Sequence, residues 1–575
     1  MRVLLKKYFG YDNFRPMQED IINNVLEKKD TFVLMPTGGG KSLCYQLPAL
    51  KLEGITIVIS PLISLMKDQV DNLKTNGINA EYINSSLSFK EITDIQRKII
   101  NKETKIFYIA PERLASEEFK SFLTTLQINL IAIDEAHCIS EWGHDFRQEY
   151  RNLKFLKIIF PEVPIIALTA TATEKVKEDI LKQLSLKEPL IFISSFDRKN
   201  LNLIVREKKK ALNKILEILK KYKKESVIIY CFSRKDSENI AQRLRENGFN
   251  ALPYHAGLNN ETRKHNQELF IRDKANIIVA TIAFGMGIDK PDVRLIIHHT
   301  FPKTLESYYQ EIGRAGRDGL PSDCILFYSW GDKRKHEFFI NQLADEFIQE
   351  KERDKLKKVM DYCECVSCRR KYVLRYFGET FSENNCNGCD ICLELPEIKE
   401  SSPRERISLK RERKILVYNK NLFEKLRTLR KQIANERNVP PFVIFGDASL
   451  QEMAYYLPNN KDELLDINGV GEHKLKDFGY LFLEVIKEYT KENNLNSVTI
   501  FEKDGIRENP KTDYHERLKE IKEKFPNAYE PWEEEEDNKL KALYSKNTSI
   551  DEIAHIMKRQ PSAIMARLKK FGLLG

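Results

Sequence analysis

Between Thr31 and about Trp330 the chain alternates short β-branched runs with segments of helical periodicity, and this alternation narrows its possible folds more than any other feature. The runs Thr31–Met35, Ile55–Ser60, Lys105–Ala110, Leu130–Asp134 and Ile165–Thr169 are strand-length and apolar throughout. Strands covered on both faces by helices read this way, as in a parallel α/β sheet. The rhythm restarts after the basic stretch Arg206–Lys210, with Ser226–Phe232, Asn276–Thr281, Val293–His298 and Asp323–Tyr328. The expected fold is therefore multidomain α/β, with two parallel-sheet domains in tandem joined near residue 205.

At about 150 residues per domain, a chain of 575 residues has room for roughly four domains. Beyond about Asp332 charged helical patterns replace the strands, interrupted by a cysteine cluster and by Leu393–Lys414, whose Pro396, Ser401, Ser402 and Pro403 read as a linker. The expected order is α/β domains over 1–204 and 205–335, a helical cysteine-bearing module over 336–395 and a linker over 396–415. A small all-helical domain over 416–492, a second linker over 493–529 and a last helical unit over 530–575 complete it. No apolar run approaches the roughly 18 residues of a membrane span, so a cytoplasmic protein with no membrane partner is expected. Lys and Arg number 94 against 85 Asp and Glu, and the resulting +9 suits a polyanion partner but is common without one. Cys44, Cys138, Cys231 and Cys324 are scattered through apolar stretches, whereas six more crowd between Cys363 and Cys392. In a reducing compartment such crowding points to metal before disulfides.

The first strand runs into Pro36-Thr37-Gly38-Gly39-Gly40-Lys41-Ser42 and then a helical pattern. Glycines let backbone N–H groups turn onto phosphates, Lys41 can neutralise β/γ charge, and Ser42 can hold Mg²⁺. The strict pattern fails at one residue, since Met35 stands where a first Gly is usual; a chance Gly-rich turn is the bland alternative. A later strand ends in Asp134-Glu135, placing two carboxylates at the carboxyl edge of the sheet. Asp134 would reach the metal and Glu135 would orient or deprotonate the attacking water; paired acids at a strand end are otherwise ordinary solvated groups. In the second domain, Gln310-Glu311-Ile312-Gly313-Arg314-Ala315-Gly316-Arg317 sets two arginines three residues apart, expected on one helical face. From there they would act on a γ-phosphate held by the other domain.

With these motifs the chain resembles a RecQ-family DNA helicase of helicase superfamily 2, over residues 1–395 and again from about 416 to 490. The resemblance implies two RecA-like domains. It also implies a nucleotide site in which Tyr11 and Arg15 sandwich adenine, Gln18 bonds its edge, and Gln310 joins Thr37, Gly38, Gly39, Gly40, Lys41 and Ser42. Ser60–Gln69 and Ala110–Leu114 are similar to the family's strand-tracking motifs, and Leu168–Ala172 to the motif that links hydrolysis to DNA contact. The stretch Cys138–Arg147 resembles the family's aromatic-rich loop, in which Trp142, His144, Phe146 and Arg147 would meet unpaired bases and a phosphate. Core packing is the ordinary alternative for Trp142 and Phe146. Phe196–Leu201 departs from the family pattern at Lys199, where Pro is common, and a looser interdomain hinge is expected.

Cys368, Cys386, Cys389 and Cys392 can close a tetrahedral Zn²⁺ site, and the resemblance selects the same four; an iron–sulfur cluster uses similar cysteine sets. Only about twenty-five residues separate Cys392 from the next helical segment, where most bacterial members of the family carry a winged-helix domain of about a hundred residues. The helical segment with Leu422, Leu426, Leu429 and Ile467-Asn468-Gly469-Val470-Gly471 looks like the family's HRDC module. Its Lys425, Arg427, Arg430 and Lys431 would meet phosphates or simply form a solvated face. The last unit is similar to a Myb-like or helix-turn-helix domain whose final helix, with Arg567, Lys569 and Lys570, would enter a major groove; a three-helix cap is the alternative. The expectation is an ATP-dependent DNA helicase using ATP, Mg²⁺ and Zn²⁺, moving 3′→5′ on single-stranded and forked DNA in recombination and repair. It would be a monomer, with a single-strand-binding protein as a further partner. The alternatives are an ATP-switched protein that clamps or anneals strands without processive unwinding and, disfavoured by the loop and the cysteine module, an RNA helicase.

Overall fold

A computed structural model describes residues 1–61, 63–84, 87–140, 147–284, 290–395, 418–493 and 495, and in the C-terminal unit 534–545, 548, 550–559, 564, 567, 568 and 571. The chain divides into two compact units, Met1–Val498 and Thr499–Gly575.

In the first unit, β1 (Thr31–Leu34), β2 (Ile55–Ile59), β3 (Ala80–Ile83), β4 (Ile106–Ile109), β5 (Ile128–Ile133), β6 (Ile165–Thr169) and β7 (Leu190–Ile193) form one sheet in the order β3-β4-β2-β5-β6-β1-β7. A second sheet holds β8 (Leu201–Glu207), β9 (Ser226–Tyr230), β10 (Ala251–Tyr254), β11 (Ile277–Ala280), β12 (Val293–His298) and β13 (Ser322–Tyr328), in the order β10-β11-β9-β12-β13-β8. Every ladder in both is parallel. Successive residues of a strand point to opposite faces, so Phe32 and Leu34 enter one apolar core while Val33 enters the other. The boundary expected between 204 and 205 falls inside β8, because the second sheet takes up the chain from Leu201.

After β13 come helices Lys333–Ile340, Glu346–Glu364 and Arg369–Tyr376, followed by the loop bearing the last three clustered cysteines. The helical domain at 418–493 contributes Lys420–Glu436, Pro441–Ile444, Asp447–Tyr456 and Tyr480–Glu492. It rests on both α/β domains. Against the first, Gly469 N–H donates to Gly10 O (3.0 Å), and the His473 ring covers Gly77. Against the second, Arg272 donates to Asn438 Oδ1 (2.7 Å), Lys431 Nζ to Asp273 O (2.8 Å) and Arg427 to Lys224 O (3.1 Å). Arg430 is 1% exposed and bonds Phe445 O (2.8 Å) and Asp447 (2.9 Å). The cations expected to face phosphates or water are thus largely spent on the seam and on the module's own core. Stranding either member of a pair buried this deeply costs about 3–5 kcal/mol.

In the C-terminal unit, helices Glu534–Ser545 and Ile550–Met557 share an apolar core of Leu540, Ile553, Met557, Ile564 and Leu568. The linkers expected at 396–415 and 493–529 lie outside the described residues except for 493 and 495. No described helix is long and apolar enough to cross a membrane.

Candidate active site

The loop after β1 leaves the carboxyl edge of the first sheet beside β6, where Met35 N–H donates to Thr169 O (3.0 Å). Three of its carbonyls are drawn away from the loop by side chains: Gly38 O by Arg15 Nη1, Gly40 O by Gln18 Nε2 (3.1 Å) and Thr37 O by Arg198 Nη1. In a trans peptide the N–H points opposite to the C=O. The N–H groups of Gly38 and Lys41 therefore face away from Arg198 and Gln18 respectively. Gly40 has φ +89°, and a Cβ there would strike the Gln18 amide. Lys41 Nζ donates to Met35 O (3.2 Å), and Ser42 precedes the helix Leu43–Lys51, whose N-terminal dipole favours negative charge. Burial raises the Cys44 thiol to about 12, as fits a core cysteine.

At the end of β5, Asp134 N–H bonds Ile59 O (2.9 Å) and Asp134 O accepts from the Tyr150 hydroxyl (3.1 Å). Glu135 takes the left-handed backbone region at φ +47°, uncommon for a residue with a Cβ, and this bends its carboxylate back towards His137. Glu135 Oε2 lies 3.3 Å from His137 Nδ1, which in turn sits 2.9 Å from Thr169 Oγ1. One nitrogen of a buried imidazole is thus bonded to Thr169 in the Leu168–Ala172 motif and lies within ion-pair distance of the second carboxylate.

The second domain closes on this loop. The helix Leu305–Ile312 ends before the arginine pair, so Arg314 and Arg317 lie in the turns that follow and not on one helical face. Gly313 caps the helix, and Gly316, at φ +53° between the two arginines, turns the backbone where it approaches the Asn200 amide too closely for a Cβ. A Cβ built on Gly313 would be 3.1 Å from Thr37 Cβ, and one on Gly38 would be 3.3 Å from Arg317 Cα, so the turn rests on the phosphate loop. Arg314 is buried beside the Tyr230 hydroxyl, while Gln310 and Tyr11 are partly buried and exposed respectively. Trp142, His144 and Phe146 lie outside the described residues. Arg147 donates to Pro61 O (2.9 Å), joining the end of their loop to the Ser60–Gln69 motif.

Sulfurs of Cys368, Cys386, Cys389 and Cys392 lie within 4.8 Å of one another. Four thiolates at Zn–S distances of about 2.3 Å need only a small contraction from that spread. The cysteine loop is stitched to the edge strand β8 by Leu203 N–H to Gly388 O (2.9 Å), Asp390 N–H to Leu203 O (3.0 Å) and Val205 N–H to Asp390 Oδ2 (3.0 Å). Cys389→Ser is expected to weaken zinc retention by more than the ~10-fold cost of losing an outer partner, and to lower thermal stability because β8 loses its cover. Metal analysis with a melting curve reads both; full zinc and an unchanged melt would remove Cys389 from the site.

Sequence reading passed over Arg198, whose signal lay in the Phe196–Leu201 motif. The hinge expected to be loose is heavily bonded: Arg370 of the cysteine module donates to Arg198 O (2.8 Å) and Leu201 O (2.6 Å), while Lys199 is exposed. In the C-terminal unit Arg567 makes a bidentate pair with Asp537 (2.7 and 2.6 Å) and braces that unit, while Lys569 and Lys570 lie outside the described residues.

Two parallel-sheet lobes, with a phosphate loop in one and an arginine turn pressed against it from the other, define a helicase-type nucleoside triphosphatase. Family models agree in chain order: DEAD/DEAH box helicase over 15–179, helicase conserved C-terminal domain over 207–319, RecQ zinc-binding over 330–393 and HRDC domain over 419–486. The chain is 38% identical to the ATP-dependent DNA helicase RecQ of Haemophilus influenzae, over 84% of this chain and 95% of that one. It is 40% identical to the ATP-dependent DNA helicase RecQ of Bacillus subtilis, over 85% and 98%. The chain belongs to the RecQ family, and it is an ATP-dependent DNA helicase with a zinc-binding module.

Proposed function

We propose that the lobes hydrolyse ATP between them while moving 3′→5′ along one DNA strand, opening forks in recombination and repair. The observation that carries this is the arginine turn lying on the phosphate loop. A γ-phosphate on the loop N–H groups and Lys41 would meet Arg314 and Arg317, which stabilise charge spreading onto its oxygens. Ser42 and Asp134 are the residues placed to hold Mg²⁺, which when bound shares the phosphate charge. Glu135 holds the attacking water and accepts its proton, and His137 fixes that carboxylate. Tyr11, Arg15, Gln18 and Gln310 would hold the base, with Arg15 and Gln18 also bonding the loop backbone. Trp142, His144, Phe146 and Arg147 report bound bases; Arg147, bonded to Pro61, supplies the route into the strand-tracking motif.

Strand displacement on forked duplexes, measured beside DNA-stimulated ATPase, tests this reading. A 3′-tailed fork should be opened and a 5′-tailed duplex left closed, with hydrolysis rising when single strands are added. Stimulated hydrolysis without displacement would replace unwinding by strand clamping or annealing. Opening of the 5′-tailed substrate would reverse the polarity.

A further inference from the structure

Arg198 lies on the crossing between the two lobes, after β7 and before β8, and its guanidinium bonds the backbone of both. Nη1 donates to Thr37 O of the phosphate loop and to Gly313 O (3.3 Å), Nη2 to Ala315 O and Gly316 O (2.9 Å each), and Nε to Asn200 Oδ1 (3.3 Å). Asn200 in turn donates to Gly316 O (2.8 Å) and Leu320 O (2.9 Å). A planar fork with five donors can serve several carbonyls at once, which a lysine ammonium on a flexible stem cannot. Burial lowers the Arg198 pKa to about 10, still well above neutrality, so the group stays a cation in both lobes' company.

We propose that Arg198 is a positioning residue for ATP hydrolysis: it sets the arginine turn against the phosphate loop by bonding Thr37 O of the loop and the Gly313, Ala315 and Gly316 carbonyls of the turn at once. This rests on the assignment of Arg314 and Arg317 above and adds what holds them in place. The Arg198 backbone is itself fixed by Arg370 of the zinc module, so the position of the guanidinium is set from outside the nucleotide cleft.

The test is a double-mutant cycle of Arg198→Ala and Arg317→Ala on DNA-stimulated hydrolysis, with kcat and KM for ATP taken separately. A displacement of the arginine turn by an ångström costs on the order of a hundredfold. Arg198→Ala should therefore lower kcat by about that factor while KM moves far less, and the double variant should be little slower than Arg317→Ala, because the two act as a unit. Arg198→Lys, which keeps the charge and one donor, should recover part of kcat, and it carries the same cycle should alanine unfold the protein. Multiplying single effects, or a KM rise with kcat unchanged, would overturn the inference. Wild-type kcat in Arg317→Ala would instead bring down the arginine-pair assignment, and the inference with it.

Discussion

Glu135→Gln is expected to bind ATP nearly as tightly as the wild type and to hydrolyse it about 10²- to 10⁴-fold more slowly, the usual worth of a positioned general base. The amide keeps the size of the carboxylate, so the left-handed turn at 135 and the neighbouring Asp134 stay in place. What disappears is an acceptor for the water proton. At 1.36 kcal/mol per factor of ten, the loss is about 3–5 kcal/mol in the barrier, large against any change in packing. Single-turnover hydrolysis beside equilibrium nucleotide binding separates the two. Vanished binding with normal folding would make Glu135 a structural brace for His137; unimpaired turnover would move the base elsewhere.

Lys41→Ala should lose at least ~10²-fold in kcat/KM for ATP, since a charged donor aimed at the transferring group is worth no less than one oxyanion donor. The ammonium now bonds Met35 O (3.2 Å), at the root of the loop, so it sits within a side chain's swing of the loop interior. Its removal leaves the loop carbonyls pinned by Arg15, Gln18 and Arg198 and leaves the strand-tracking surface untouched. Single-stranded DNA binding should therefore stay within about twofold, inside the range of a surface change. Hydrolysis near wild type would detach the phosphate loop from catalysis, and a parallel loss of DNA binding would mean that the lobe had misfolded.

How legible these features were in the sequence follows from how they are covered. Every central strand was readable, whereas β3, β7, β8 and β10 were not, and these four are the edges of the two sheets. An inner strand is wrapped on both faces and shows as an apolar run; β3, β7 and β10 are partly exposed and mixed to match, whereas β8 is buried beneath the cysteine loop and Asn202 and Arg206 break its apolar run. Thus β7 is largely exposed, and β10 carries Pro253, tolerable where no neighbour needs its N–H. The phosphate loop and the paired acids were legible because their chemistry depends on side chains at fixed spacing. Arg198 was not, because its work is done on carbonyls, which every residue possesses. The HRDC cations Arg427 and Lys431 read as a wet or phosphate-facing surface because nothing local announces a partner more than a hundred residues away in the chain, and Arg430 read the same way although its partners, Phe445 and Asp447, lie in its own domain.

The seating of the HRDC domain on both lobes has a kinematic consequence. A rigid body pivoting on a single joint has three rotational freedoms, and a second anchorage removes two of them. The crossing at 197–201 is one joint between the lobes; the bonds from Gly469 to Gly10 on one side and from Lys431 to Asp273 on the other make a second, through a third body. Because this second connection runs through a third body, it acts as a tie between Gly10 and Asp273 and removes fewer freedoms than a direct joint would; while it holds, the lobes turn about the crossing only in ways that keep those two residues at a nearly fixed separation.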